Sequence, residues 1–539
     1  MDDDASRGRN NGSDDPTIMA AAAATMVEEV LLDRYVMFED ELSMVIQERG
    51  GTPESLTVEF VEEEIFASGL RPDEMRAAVQ IAMEQVMLRY RADIEAPADA
   101  ILRQRKASRP SAVKKVPIIA GHDAALYREA LDGIEPHLRR VAEPPEMTTL
   151  TLRVSWPGDS TWRNFPASAF IAGADGDVLA LYVGPCRPGL AASPGFYLVY
   201  DARANSVAVV PPLLPRAVTT FSHCCIGTGV GVLRLRRGND GGFALVELLP
   251  RQDTQGRIST AATLFTWRSS GPDAGRWVQT ETAPLPLPVE PPYEDDEDPP
   301  GYCFCADTAF AAGDNCLCWA DLLQGMLVCD HVLADDRPEF RFVPLPPGCS
   351  VVDPDAEGRR GLPDQYRSMC CVERREVDDD DNREQRPQHT IKFVTMVGGD
   401  GRPINEVEFV TWTLDEPRDP RSEWKRGAGS MTLGDIWADP TYKDELGLPP
   451  LPATHPVLST VRDDVVYLEL VDDGGGVIGG RCCMLTVDLA RRRVLSGCKF
   501  PPGSTTFPLP DVFATRLHHA CISTPQQEVG SNFIAGFGP

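Results

Sequence analysis

Basic residues are scarce in this chain, histidine is scarcer, and long apolar runs are missing. Lys and Arg number 52 against 81 Asp and Glu, giving a net charge of −29, and there are 8 histidines. A surface of that sign argues against a sequence-independent grip on nucleic acid or anionic membrane, both of which need a basic face. No stretch approaches the roughly 18 consecutive apolar residues of a membrane-spanning helix. The opening Met1-Asp2-Asp3-Asp4 has the wrong charge for a secretory leader, and Ala20–Ala24 is too short for a leader's apolar core. Neither a Gly-x-Ser-x-Gly elbow nor a His-Glu-x-x-His helix occurs. The expectation is an intracellular protein, cytoplasmic or nuclear, with no nucleic acid, membrane, cofactor or metal among its partners.

Absences also divide the chain. No tryptophan precedes Trp156 and no cysteine precedes Cys186. Residues 1–16 are acidic and read as a disordered tail. Residues 17–145 read as a helical extension. Phe60, Val61, Ile65 and Phe66, then Met75, Ala78, Val79, Ala82, Met83, Val86 and Met87, recur at helical spacing, and Pro72 stands where a second helix can begin. Arg103–Lys115 holds six basic residues and reads as a solvated linker or a nuclear import signal. Residues 146–525 form a β-rich body, and 526–539 a C-terminal tail.

What the body has is strands. Cys316–Ala320 and Met326–Cys329 flank Asp321–Gly325, a hairpin whose closing glycine is expected to supply a positive φ. Both runs are apolar on both faces, so this hairpin must be covered twice. The same grammar recurs: an apolar strand, a central strand ending in Asp or Trp, a polar turn and an outer strand. Tyr200, Trp267, Cys329, Trp412 and Val487 occupy comparable places, spaced more widely than the ~40–50 residues of tight propeller repeats. Radial repetition of small sheets buries both faces of every strand. The pattern predicts a mainly β chain, an irregular β-propeller of about five or six blades, with a pair of β-sandwiches as the rival.

Several stretches resemble a known family. Cys318-Trp-Ala-Asp-Leu-Leu-Gln-Gly-Met-Leu-Val-Cys-Asp330 with Phe342-Val-Pro-Leu-Pro-Pro347 resembles the signature of a plant family, abundant in grasses, catalogued as domain of unknown function 1618. Val410–Leu414, Glu423-Trp-Lys425, Gly434–Tyr442 and His455–Ser459 look like the same family. Trp319, Asp321, Gly325, Cys329, Asp330, Trp412, Trp424 and Trp437 are the signature residues on this reading. Members are often compared with the propeller-like regions that follow F-boxes, but no F-box-like pattern precedes the strands here. The resemblance implies no activity, cofactor or catalytic residue.

Candidate chemistry is thin. The 15 cysteines, an odd number, read as reduced and mostly buried. Cys303, Cys305, Cys316 and Cys318 could supply four thiolates to zinc, although a one-residue gap on an extended strand suits packing better than a tetrahedral site. His223 beside Cys224-Cys225, and His518-His519, are the densest histidine–cysteine groupings; a histidine at a strand end is the plain alternative to a nucleophilic pair. Gly227-Thr-Gly-Val-Gly231 precedes a strand, whereas a phosphate loop opens a helix. The acidic runs 294–298 and 378–381 lack the glycine and spacing of a calcium loop. The reading is therefore a non-catalytic scaffold for an unidentified protein partner. Its alternatives are a hydrolase-type enzyme using His223, His331 or His518-His519 in a central funnel, and a ubiquitin-ligase adaptor.

Overall fold

The computed structural model describes residues 27–53, 72–108, 111–118, 124–138, 141–157, 159–164, 168–184, 195–213, 221, 226–235, 242–252, 258–288, 304–334, 338–351, 362–374, 388–398, 402–472, 480–500 and 512–518. The described residues begin with β1 (Val27–Asp33) and β2 (Tyr35–Asp40), then helices α1 (Glu41–Glu48), α2 (Pro72–Arg89) and α3 (Ala96–Ser108). Short elements follow: β3 (Lys114–Val116), α4 (Ala124–Asp132), β4 (Ile134–Leu138), β5 (Met147–Thr148) and β6 (Leu150–Val154).

Five four-stranded antiparallel units come next. Blade I is β7 (Ser168–Asp175), β8 (Val178–Gly184), β9 (Phe196–Asp201) and β10 (Ser206–Val210), the middle of an eight-stranded sheet in the order β3-β10-β9-β8-β7-β2-β6-β4. Blade II is β11 (Val230–Leu235), β12 (Gly242–Gln252), β13 (Ile258–Arg268) and β14 (Trp277–Glu281). Blade III is β15 (Thr308–Ala311), β16 (Cys316–Asp321), β17 (Gly325–Asp330) and β18 (Glu339–Pro344). Blade IV is β19 (Arg367–Arg374), β20 (Gln388–Val397), β21 (Glu408–Asp415) and β22 (Lys425–Thr432), with α5 (Leu433–Ala438) behind it. Blade V is β23 (Ala453–Leu458), β24 (Val465–Asp472), β25 (Gly480–Asp488) and β26 (Arg493–Lys499). The last described strand, β27 (Val512–His518), returns to the start of the chain and pairs antiparallel with β1, which pairs in parallel with β5.

Alternation of side chains explains why these sheets form a ring. On β8, Val178, Ala180 and Tyr182 pack toward blade II, while Leu179, Leu181 and Val183 pack on the opposite side against Val30 and Leu32. Leu317 and Trp319 of β16 meet Ala244, Val246 and Leu248 of blade II, whereas Cys316, Cys318 and Ala320 meet Ile391 and Phe393 of blade IV. Val394 and Phe409 then meet Leu468 and Leu485 of blade V. Finally Tyr467 and Met484 of blade V meet Leu31 and Val512 in the terminal sheet. Every sheet is thus covered on both faces by neighbours, the demand that a two-face apolar strand makes. A pair of sandwiches would give each sheet one partner, so that rival falls. The arrangement is a five-bladed β-propeller-like ring, and β27-β1-β5 fills the gap between blades V and I.

Some expectations shift. The five residues placed in register, Tyr200, Trp267, Cys329, Trp412 and Val487, all lie on the third strand of their blades. The division at residue 145 does not mark the start of β structure, because β1, β2 and β4 already belong to the sheets. Arg103–Lys115 is not a linker throughout: α3 continues to Ser108, since Ala98 and Leu102 pack on Leu42, Val45 and Ile46, and β3 adds to the outer edge of β10. Pro72 does begin a helix, α2. The 1–16 and 526–539 tails, the first predicted helix near Phe60, and both acidic runs lie outside the described residues.

Candidate functional site

A cavity of about 70 Å³ lies on the ring axis. Its wall takes residues from every blade: Phe170 of β7, Thr228 just before β11, Thr308 of β15, Ser368 of β19 and Val457 of β23, with Val512 of β27 completing the circle. Most of these stand near the beginnings of the innermost strands, so the cavity sits toward that end of the ring. The volume suits on the order of two water molecules or one small ligand group, at ~30 Å³ per water.

Its charged residues are fixed by local structure. Arg34 occupies the bend between β1 and β2; its carbonyl accepts the Ile171 N–H (2.8 Å), and its guanidinium lies 5.8 Å from the Phe170 ring and 5.2 Å from that of Phe513. Arg367 opens β19 after the turn Pro363–Gln365 and is only 7% exposed. Its Nη1 donates to Leu322 O (2.7 Å) and its guanidinium covers the Tyr366 ring at 5.4 Å, while Nε has no hydrogen-bond partner among the described residues. Burial draws its pKa down, and Tyr366, Cys349, Asp321 and Asp307 pull it back up. Arginine keeps its proton at any physiological pH.

Asp307, Asp364 and His455 share the wall. Asp307 Oδ2 accepts the Leu322 N–H (2.8 Å). His455 sits at φ 49° in a bulge of β23, with Nδ1 3.0 Å from Thr454 Oγ1, which itself donates to Gln365 O (3.1 Å). The arrangement can bind a small polar group between two guanidiniums, two carboxylates and an imidazole.

A second buried polar group lies between blades I and II. Glu247 of β12 is fully buried; Tyr197 O–H and Gly227 N–H (3.1 Å) both donate to its Oε1, and Oε2 meets no donor among the described residues. Burial pushes this carboxyl up to about 7 and Tyr197 well above its ordinary value. Gly227-Thr-Gly-Val-Gly231 therefore serves a carboxylate of this chain, and its glycine at φ 84° turns the amide toward Glu247.

The signature residues hold blades together. Trp319 Nε1 donates to Gly229 O of blade II (2.8 Å), Trp424 Nε1 to Pro344 O of blade III (2.8 Å), and Trp437 Nε1 to Leu451 O at the entry to blade V (3.0 Å). Trp277, which no motif singled out, does the same with Pro211 O of blade I (2.9 Å). Proline-rich exits lack N–H donors and offer such carbonyls. Trp412 packs at the III–IV interface, and its Nε1 has no partner among the described residues. Asp321, fully buried, accepts from Leu323 N (2.9 Å) and Cys305 N (3.3 Å), closing the hairpin turn. Asp330 pairs with Arg418 (3.1 Å) at the surface. Gly325 corrects the expected turn role: it is not among the positive-φ residues, and an added Cβ would press on Val343 O and lie 2.6 Å from the Phe342 ring. Close approach of β18, not handedness, demands glycine there.

The remaining candidates are scattered. Cys303 lies outside the described residues, Cys305 precedes β15, and Cys316 and Cys318 are buried against blade IV. Burial raises Cys329 to about 12, and the Cys316 thiol together with burial raises Cys318 well above the ordinary range. Among the described residues, no group of three or more His, Cys, Asp or Glu is placed to hold a metal. His331, exposed at φ 56° in the turn after β17, is not among the cavity's lining residues; His223 and His519 lie outside the described residues, as does the His518 side chain. The histidine at the axis is instead His455. No helix among the described residues is long and apolar enough to cross a membrane.

The fold places the chain among propeller-like β proteins. A family model described as "Protein of unknown function (DUF1618)" matches residues 319–467, the span from β16 into β24. No curated protein matches the chain. A solved structure titled "Glycoside hydrolase" shares 10% identity, covering 73% of this chain and 100% of that one at a TM-score of 0.26, an overlap too loose to bear on chemistry.

Proposed function

We propose that this chain is a non-catalytic protein-interaction scaffold: a rigid ring of small sheets whose loops and axial mouth receive a protein partner. The observation that carries the reading is the use made of the signature tryptophans. Trp319, Trp424 and Trp437 each bind one stretch of the ring to the next, so the family-like stretches specify a frame. A frame that holds loops at fixed distances suits recognition, because ordering costs are met before the partner arrives. The setting we propose is the cytoplasm or nucleus of a plant cell, the plant origin supported by the resemblance of the same stretches and the compartment by the acidic opening and the lack of long apolar runs. Fold alone does not assign function, so the test is biochemical. The whole chain, immobilised, should retain a protein whose cross-links map to blade loops, and a ring-opened Arg481→Met variant should lose it. Turnover of a small molecule by the purified protein, with no protein specifically retained, contradicts the reading.

A further inference from the structure

We infer that the axial cavity is a binding site for a single carboxylate group, with Arg367 as its principal donor. Three observations converge on this. First, Arg367 is 7% exposed, is charged at all physiological pH, and has Nε without a hydrogen-bond partner among the described residues. An unmet charged donor at such depth costs the desolvation of that group, and an anionic acceptor would recover it with a strong, charge-assisted bond. Second, Arg367 lines the cavity, and its Nη1 is already committed to Leu322 O (2.7 Å), which fixes the plane of the fork. Third, the cavity measures about 70 Å³, the scale of a carboxylate with one or two carbons behind it.

The wall's own charges select among anions. Arg34, Arg367, Asp307, Asp364 and His455 line the same small space. A dianion such as sulfate or phosphate would bring two charges against two carboxylates in a site of low dielectric, where like charges repel strongly. The two guanidiniums and two carboxylates of the wall cancel, so a monoanion leaves one uncompensated charge where a dianion leaves two. Phe170 and Val457 offer an apolar seat to the carbon end of the ligand. The carboxylate can be a peptide's free C-terminus or a small free acid. In the first case the proposal rests on the scaffold reading, because the peptide belongs to the partner.

The test titrates the full-length protein with sodium acetate at constant ionic strength, following arginine Nε–Hε resonances, with the Arg367 signal assigned by its loss in Arg367→Lys. A saturable shift of that one signal is expected, with sulfate binding at least about tenfold more weakly and Arg367→Lys weakening acetate about tenfold or more. Should Arg367→Lys not fold, Ser368→Leu fills the cavity while leaving the Leu322 bond in place, and should abolish both the shift and the acetate-dependent rise in melting temperature. A short peptide with a free C-terminus that displaces acetate, where its amide does not, assigns the carboxylate to a partner. Acetate binding without peptide competition assigns it to a free acid. No acetate-dependent shift in the wild-type protein, or an equal shift in Ser368→Leu, overturns the site. Loss of this site with a partner still retained leaves the scaffold reading standing, and the converse removes only the scaffold.

Discussion

Arg481 Nη1 lies 2.9 Å from Asp33 Oδ2, joining the fifth blade to β1, the first described strand. The same guanidinium holds fully buried Glu469 through Nε (2.5 Å) and Nη2 (3.3 Å), and it stacks 5.2 Å from the Phe500 ring. Removing it leaves Glu469 as a buried charge without its cation, a loss of about 3–5 kcal/mol. Arg481→Met should lower the melting temperature sharply. Asp33→Asn, at the more exposed end of the link, should cost only about 1 kcal/mol. Equal effects of the two variants in thermal unfolding would contradict this clamp.

Glu247 makes stability depend on pH in a stated direction. Its folded carboxyl, pushed up to about 7 by burial, holds a proton that the unfolded chain gives up near 4.5. The folded state binds the proton more tightly, so the contribution is complete below pH 4.5 and is lost as pH rises toward 7. The whole difference is about 3 kcal/mol. Glu247→Gln keeps an acceptor for Tyr197 and Gly227 and carries no charge. Denaturation across pH 4–8 should show the variant gaining on the parent as pH rises, then levelling above 7. A pH-independent difference between the two would refute the assignment.

The indole bonds between blades rank by burial. Trp319 is fully buried, so Trp319→Phe leaves Gly229 O without its donor and should cost about 1–3 kcal/mol. Trp424, whose bond to Pro344 O is near solvent, should lose less than about 1 kcal/mol as Phe, because water replaces the donor. Shifts in denaturation midpoint for the two variants check the order.

The buried thiols should be silent. Burial raises Cys329 and Cys483 to about 12 and Cys370 to about 11, which leaves little thiolate at pH 8. Peptide-resolved alkylation of the folded protein should spare Cys316, Cys318, Cys329 and Cys483, and modify all four after unfolding. Rapid labelling of Cys318 in the native protein would show that its face is not packed on blade IV.

The legible and illegible parts of this fold divide along physical lines. Third strands such as Leu327–Cys329 and Trp412 could be placed in register because both their faces are buried and their composition says so. Most of the innermost strands escaped notice, residues 232–235 of β11 being the exception. Thr308–Ala311 is short, and Ala453–Leu458 carries His455-Pro456 in a bulge, because strands beside the axis face polar space on one edge. The pairing of β1 with β27 joins opposite ends of the chain, which no local pattern encodes. For the same reason the axial site was invisible. Arg34, Asp307, Arg367 and His455 are far apart in sequence, and each alone reads as an ordinary loop or strand-end residue.

Closure of the ring by the terminal strands is the claim on which the axial cavity and the scaffold both depend. Native-state hydrogen exchange of peptides covering 27–33 and 512–518 tests it directly. The two segments should exchange slowly and in step, as protected as the central strands of blades III and IV, and Arg481→Met should release both together. Exchange of either segment at the rate of an unstructured peptide, while blades III and IV stay protected, would show that the ring is open.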